Sequence, residues 1–592
     1  MQLSADPSSF RFASFELDVR SRELRIGTRR IRLQDQPFEI LRMMLERPGD
    51  VITRDELQRR LWPDGTFVDF EHALNAAVKR LRAALGDDAE HPRFVETLPR
   101  RGYRFIAKLD GFERERDDAA SRTQSQPRLL VLPFTNLSGD AAHEYFSDGL
   151  TEELIAQLGA LGRGRIAVIA RWSSMTFKGT TQRARAIGEA LHAHYLLEGS
   201  VRQEADRIRI TARLIEAASE TQIWSESYER DLSDCCTLTA GRLSIQTDVA
   251  SRVARALALE IAPAPSPSPT QTLAPSAYQA YLRGRYHWNT RGSEGLDDTL
   301  AAFTRVVEEA PGFGAGHAAL ARARIAQAEC YDGVPRHQLA LARDAAVRAL
   351  ELDPDLSEAH LAIGDVHRML HWDWRSAEDA YARAVMLNPS FENVHRSYGA
   401  LLVVLERPED AVREAERACE LDPLCLISTL TAAHVQYLVG DYDRAADKCR
   451  YTIDVDPERA SAHRLMGALR LQSGVPEQAL AALDTALAVA PDDPITLAWL
   501  AHARAVTGDR EGATALLQRL RGSSRYVSPY HRAVAHAGLG DLDGAFAALD
   551  DACVDRDPMV SLVAVEPRFE RLRQDPRYAT LVDQLKLNRS SA

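Results

Sequence analysis

A chain of 592 residues with 45% hydrophobic composition has material for about four cores at roughly 150 residues each. Its net charge of −12 is uneven: residues 1–110 carry 20 Lys and Arg against 18 Asp and Glu, a balance of +2, and the remainder carries 53 against 67, or −14. This excludes a body that wraps nucleic acid nonspecifically and confines such contact to the amino-terminal part; the seven cysteines show neither ligand nor disulfide spacing.

The first element with clear chemistry is FEHALNAAVKRLRAAL, residues 70–85. Leu74, Val78, Leu81 and Leu85 recur at helical spacing and predict a core-facing stripe. His72, Asn75, Lys79 and Arg82 fall on a second, polar face, and Arg80 points away from the core. Ala76 and Ala83 keep the outer surface slim, as a helix entering a major groove requires. Asn pairs with an adenine edge, and Lys and Arg reach guanine or phosphate. A solvated helix face has the same composition, and the neighbouring hairpin tips the balance toward DNA. That hairpin is FVETLPRRGYRF, with Val95 and Leu98 before the bend, Tyr103 and Phe105 after it, and Pro99 and Gly102 bracketing it. Arg100 and Arg101 sit at the apex, placed for a minor groove or for phosphates.

Residues 10–107 together resemble the winged-helix effector domain of OmpR/PhoB-type response regulators. In that resemblance FRFASFELDV, ELRI and RRIRL are the leading antiparallel strands. DQPFEILRMMLERPGDVITRDELQRRLWPD holds the first two helices, with Thr53 an N-cap and Glu56 placed for a capping box. FEHALNAAVKRLRAAL is the recognition helix and TLPRRGYRF the wing. The resemblance implies major-groove contacts by Lys79, Arg80 and Arg82, and a minor-groove contact by Arg100 or Arg101. Two departures stand out. Pro99-Arg100-Arg101-Gly102 replaces the Arg-Gly many relatives carry before the wing turn, and Ala77 stands where some carry a base-reading His. The Trp62–Phe70 loop resembles the one through which such domains touch RNA polymerase; Trp62 and Phe67 capping the core is the equal alternative. A pair of protomers on tandem half-sites is also implied.

Only about ten residues precede the first strand, too few for a phosphorylatable receiver domain, so the signal is expected from the carboxy-terminal side. CadC-type relatives continue into a transmembrane helix. Here KLDGFERERDDAASRTQSQPR comes next, within a polar linker at 108–127, and no apolar run of ~18 residues or signal peptide occurs, which predicts a cytoplasmic protein.

Residues 128–261 read as strand (Leu129–Phe134), helix (Asp148–Leu161), strand (Ile166–Ala170), helix (Ala184–Ala193), then three β-rich runs. Alternation in Arg207–Ile215 predicts a half-buried strand, with Ala205-Asp206 its turn. A closing helix is predicted from Leu238 to Ala262, and Cys235-Cys236 reads as a buried helix start. The phrases VLPFTNLSGDAAHEYFSDGLTEELIAQL and YLLEGSVRQEADRIRITARLIEA resemble the TolB N-terminal-like domain, which also occurs beside tetratricopeptide repeats in bacterial adenylate cyclases. The acidic run Asp148, Glu152 and Glu153 invites a metal reading, but Glu152 and Glu153 sit at a helix start, where carboxylates favour the dipole, and the structural reading is preferred. Gly159, Gly162 and Gly164 end a helix and make no nucleotide fingerprint.

After a Pro/Ser linker at 262–275, residues 276–588 are periodic. Pro354, Pro389, Pro423, Pro457 and Pro491 are spaced by 35, 34, 34 and 34 residues, with Ala342, Ala377, Ala411, Ala445 and Ala479 twelve residues before them. Ala513 continues the series, and Gly364, Gly399 and Gly467 mark close packing, with Ala433 in the fourth place. That is the period of tetratricopeptide repeats, here about eight helical pairs and a terminal helix near Arg568–Leu585. Their concave surface binds protein or peptide, and Trp372 and Trp374 either line it or pack in a turn.

The expected fold is multidomain and mainly α: a winged helix (α+β), a central α/β domain and an α-solenoid. The expected function is a cytoplasmic one-component transcriptional regulator on promoter DNA, with no catalytic, cofactor or metal site. The alternatives are a non-catalytic signalling scaffold or a regulatory relative of tetratricopeptide-containing adenylate cyclases.

Overall fold

The computed structural model describes the chain in two units, Met1–Ser125 and Gln126–Ala592. Described in the first are residues 9–12, 15–18, 21–26, 29–31, 33–46, 51–61, 70–85, 87–88, 92, 94–98, 102–105 and 109–110. In the second they are 126–140, 144–162, 164–204, 207–231, 237–239, 242–257, 271–288 and 293–587.

The first unit begins with strands β1 (Ser9–Phe12), β2 (Phe15–Asp18), β3 (Glu23–Ile26) and β4 (Arg29–Ile31). Helix α1 (Asp35–Glu46), strand β5 (Val51–Thr53) and helices α2 (Arg54–Leu61) and α3 (Phe70–Leu85) come next. Strands β6 (Val95–Leu98), β7 (Gly102–Phe105) and β8 (Leu109–Asp110) complete it. One sheet has the order β4-β3-β2-β1-β8 and the other β5-β7-β6. The Thr53 cap forms as the sequence predicts: its hydroxyl accepts from Glu56 N at 3.3 Å, and its own N–H donates to the Glu56 carboxylate at 2.8 Å. Phe38, Leu41 and Leu45 of α1 meet Leu74, Val78, Leu81 and Leu85 of α3 in one core. Each such side chain contributes about 1.5–3 kcal/mol by leaving water. Gly102 lies inside the β5–β7 pairing opposite Thr53. A Cβ there would collide with the Ile52 carbonyl oxygen, so close strand approach, more than turn geometry, is what selects glycine.

The second unit opens with β9 (Arg128–Val131), β10 (Thr135–Asn136), α4 (Glu144–Gly162), β11 (Ala167–Val168), α5 (Arg171–Met175) and α6 (Ala184–Leu191). Three long strands come after them, β12 (Tyr195–Glu204), β13 (Arg207–Glu216) and β14 (Thr221–Asp231). The sheet order is β11-β9-β12-β13-β14; β11, β9 and β12 pair parallel, and the last three antiparallel. On β13 Ile208, Ile210, Ala212 and Leu214 are buried, as the alternation requires. Two expectations fail. Helix α4 starts at Glu144, so Glu152 and Glu153 lie mid-helix; Glu152 answers Arg171 and Arg285, and Glu153 accepts from Gln157 and Tyr281. The closing helix α7 spans Ser244–Ala256, because Thr237–Thr239 and Arg242–Leu243 form strands instead. Thr237–Thr239 also pairs with Gln271–Thr272, so the end of the Pro/Ser stretch is sheet. Cys235-Cys236 and the turn at 205–206 lie outside the described residues.

Eight antiparallel helix pairs make up the rest among the described residues, from Pro275–His287 with Ser293–Glu309 to Pro529–Leu539 with Leu542–Asp555, and Arg577–Gln584 ends the array. The small residues of the 34-residue period, Ala342, Ala377, Ala411, Ala445, Ala479 and Ala513, are all fully buried. A Cβ on Gly364 would strike the Tyr381 ring, and one on Gly467 the Leu483 side chain. A second periodic signal escaped the sequence reading: His317, His360, His395 and His463 each donate a ring N–H to the carbonyl of the proline six residues earlier, at 2.8–3.1 Å.

The α/β half and the repeats, expected at 128–261 and 276–588, lie in one unit. Asp422, in a turn between repeats, accepts from Ser173 N at 2.8 Å and Ser173 Oγ at 2.6 Å. Val168 N donates to Ser390 Oγ at 3.1 Å, and Gly159 is flush against Asn388. Arg285 of the first repeat helix reaches Glu152 of α4 at 3.3 Å and Glu358 at 2.7 Å.

The carboxy-terminal segment lies against the repeats' own inner helices. Glu566, fully buried, accepts from Tyr437 Oη at 2.8 Å and Tyr530 Oη at 3.4 Å and pairs with Arg568 at 2.8 Å. The Arg568 guanidinium lies 3.7 Å from the Trp499 ring centroid. Burial alone would raise the Glu566 carboxyl; Arg568 and the hydrogen bonds it and Tyr437 donate overcome this and hold it at about 2. Trp372 is buried under Arg556, and Trp374 Nε1 donates to the carbonyls of Leu585 and Lys586 at 3.1 and 3.0 Å. These two tryptophans therefore fasten the end of the chain and do not line an open groove.

Glu566→Leu should strand a buried guanidinium and destabilise the chain by about 3–5 kcal/mol, read from urea denaturation; a change below measurement error would contradict the burial described. Burial, aided by Arg568, lowers His434 and His502 to about 4, and burial with Arg464 and Arg568 holds His531 well below the usual imidazole range. A folded pKa below the unfolded ~6.5 gives stability that is complete above that pH and is lost as pH falls toward 4. The melting temperature should drop from pH 7 to pH 5, less so in His502→Gln; a flat profile in the wild type would refute this.

Candidate nucleic-acid interface

Helix α3 turns Leu74, Ala77, Val78, Leu81 and Leu85 into the core, and its other side is thereby fixed outward. Asn75, Ala76, Lys79, Arg80 and Ala83 are exposed. Among the described residues neither Lys79 nor Arg80 has a carboxylate partner, so two cations stand beside two methyl-sized side chains on a surface that would admit a groove edge. Ala77 is fully buried, which removes it from the base-reading position the resemblance suggested. The helical angle explains why: Ala77 lies three residues from Leu74 and four from Leu81, within the apolar stripe.

Arg82 differs from its neighbours. Its guanidinium donates to Val95 O at 2.7 Å and to Thr97 Oγ1 at 2.8 Å, so the side chain spans from α3 to the first wing strand. Asp87 makes a second tie just past the helix, accepting from the backbone N–H of Phe94 at 3.3 Å and of Val95 at 2.8 Å. A third comes from Tyr103, whose hydroxyl donates to Asn75 Oδ1 at 2.7 Å and fixes the direction of the amide. Arg54 lies over the Tyr103 ring at 5.5 Å. Across the wing, Glu96 and Arg104 face each other in register and pair at 2.6 Å.

Sequence reasoning missed Asp87, Tyr103 and the Glu96–Arg104 pair as parts of this site. The pair had a readable signal, since Val95↔Phe105 and Leu98↔Gly102 fix the register by alternation alone. Strands β6 and β7 close at Leu98↔Gly102, leaving residues 99–101 as their connection. Arg100 and Arg101 in that connection, the His72 side chain, and residues 62–69 of the Trp62–Phe70 loop all lie outside the described residues.

Comparison with known proteins bears on this geometry. Residues 28–105 match the family "Transcriptional regulatory protein, C terminal", and residues 437–495 match "Tetratricopeptide repeat". "Putative adenylate cyclase 3" of Rhizobium meliloti is 30% identical over 242 residues, covering 40% of each chain. "Transcriptional regulator HilA" of Salmonella typhimurium is 21% identical over 447 residues, 74% of this chain and 76% of its own. The "Cholera toxin transcriptional activator" of Vibrio cholerae is 35% identical over 102 residues, 17% of this chain and 35% of its own. The chain thus spans less than half the length of the first and third. Its amino-terminal unit carries the OmpR/PhoB-type winged-helix DNA-binding domain of transcriptional regulators, and the chain bears it in series with tetratricopeptide repeats.

Proposed function

We propose that this chain is a cytoplasmic, non-catalytic one-component transcriptional regulator. A reader at residues 10–107 grips promoter DNA, and an α/β segment at 128–261 joined to repeats at 276–588 receives the input. The observation that carries this is the outward pair Lys79 and Arg80, free of carboxylates among the described residues, on a helix braced against its wing. In this reading Asn75, Lys79 and Arg80, with His72, meet the major groove, and Arg100 and Arg101 meet the minor groove or its phosphates. Arg82 belongs to the same surface but acts chiefly by holding the wing at its angle to α3.

Two further partners belong to the proposal. RNA polymerase meets the Trp62–Phe70 loop, and two protomers share tandem half-sites. A single winged helix of this kind buries roughly 600–1,000 Å² on DNA, which a second copy would double. No helix among the described residues is long and apolar enough to cross a membrane. The repeats offer a partner less open surface than the sequence suggested, since residues 556–587 already pack against their inner helices.

The test is fluorescence anisotropy of the full chain on its own promoter region, over a salt series. Lys79→Ala/Arg80→Ala should weaken binding about tenfold or more, equivalent to 1–3 kcal/mol per base-reading contact, or flatten the salt slope by about 1 per lost phosphate contact. Arg82→Ala should reduce sequence preference and lower the melting temperature of the amino-terminal unit together, whereas the double variant leaves that temperature unchanged. Equal wild-type affinity for scrambled DNA would overturn the proposal in favour of a scaffold.

A further inference from the structure

The second unit contains a cavity of about 1780 Å³ whose wall is shared by α4, α5 and the inner helices of the repeats. On that wall the Arg322 guanidinium carbon lies 5.2 Å from the Trp288 ring centroid and 5.0 Å from that of Phe391. Its side chain is only 11% exposed. Among the described residues the guanidinium makes no hydrogen bond. Its nearest carboxylate is Glu358 at 3.7 Å, and both Glu358 oxygens already accept from Arg285, at 2.7 and 2.8 Å.

The other arginines near Arg322 are engaged, and Glu153 is answered by Gln157 and Tyr281, not by a cation. Glu152 is paired with Arg171 and Arg285, Asp493 with Arg464, and Arg396 donates to Asn393 Oδ1 at 2.7 Å. Burial pulls the Arg322 pKa down, against the opposing pull of Glu358 and Glu392. Burial, with Asp422 beside it, also pushes the Glu392 carboxyl up. A guanidinium held against two rings, nearly buried and short of acceptors, is a costly arrangement that an anion would relieve. The fork of N–H donors suits two oxygens on one atom, as in a carboxylate or a phosphate. Contact with both rings restricts how far the fork can turn.

We propose that this cavity is a binding site for a small organic anion, a carboxylate or phosphate monoester, gripped by Arg322 beside Trp288 and Phe391. The anion would touch both halves of the unit, since Arg285 already links the same wall to α4. This goes beyond the DNA-binding reading by giving the regulator a chemical input, and its test involves no DNA, so the two can fail separately.

The experiment is isothermal titration calorimetry on the full chain with citrate, acetate and inorganic phosphate at constant ionic strength. Saturable binding of at least one anion is expected, at least tenfold weaker in Arg322→Gln and in Arg322→Lys, which keeps the charge but loses the fork. Preference for citrate or acetate assigns a carboxylate ligand, and preference for phosphate a phosphate monoester. Should either Arg322 variant fail to fold, Phe391→Leu removes one of the two rings and should weaken the same anion. Saturation by none of the three, or equal affinity in the variants, overturns the proposal. So does Arg322-dependent binding of an acidic peptide when no small anion binds.

Discussion

A carboxylate with no exposure at all, Glu566, organises the larger unit. It is tolerable there because donors converge on it: Nε and Nη2 of Arg568 and the hydroxyls of Tyr437 and Tyr530. Such an arrangement does more for uniqueness than for raw stability, since replacing both members of a buried pair by apolar groups of similar volume often costs little, whereas removing one alone is costly. Its partners come from inner helices separated by about a hundred residues of sequence. The polar cluster therefore specifies which stretch of chain lies against those helices, and the apolar contacts of Phe569, Leu572 and Leu581 fill in behind it.

The smaller unit obeys a different logic. Its core is ordinary apolar packing, and the informative feature is how four cations near α3 are divided. Lys79 and Arg80 face outward, Arg82 is occupied by the wing, and Arg104 is neutralised across the hairpin by Glu96. A domain with 20 cations against 18 carboxylates has little positive charge in excess. Placing two of them side by side, and using others to stiffen the wing, concentrates positive potential where a backbone could approach.

What could be read from sequence was whatever repeats or alternates locally. The period of 34 is legible because inter-helix packing demands a small residue at the same place in every pair, and Ala342 through Ala513 obey it. The capping box at Thr53 and the alternation along β13 are equally local. The recognition-helix stripe was legible too, but Ala77 was not: alanine is silent about which side it takes, and only the geometry placed it inside. Arg82 was misweighted because its acceptors lie thirteen and fifteen residues on, across a turn. The clasp between Ser173 and Asp422 spans 249 positions and leaves no pattern in either segment. Glu152 and Glu153 were assigned to a helix start because the helix actually begins four residues earlier, at Glu144.

The contacts that join the second and third helix pairs to the chain's end have a mechanical meaning. Tyr331 donates to Asp557 at 2.9 Å, Arg556 covers Trp372, and Lys586 donates to the His371 carbonyl at 3.0 Å. An open solenoid is a row of nearest neighbours, and fraying at its tip leaves the middle intact. Here the tip is buckled back onto an early member of the row, as a belt is closed by its clasp. Every helix between positions 331 and 557 is thus inside one loop of mutual support, and loosening any link is felt all the way around.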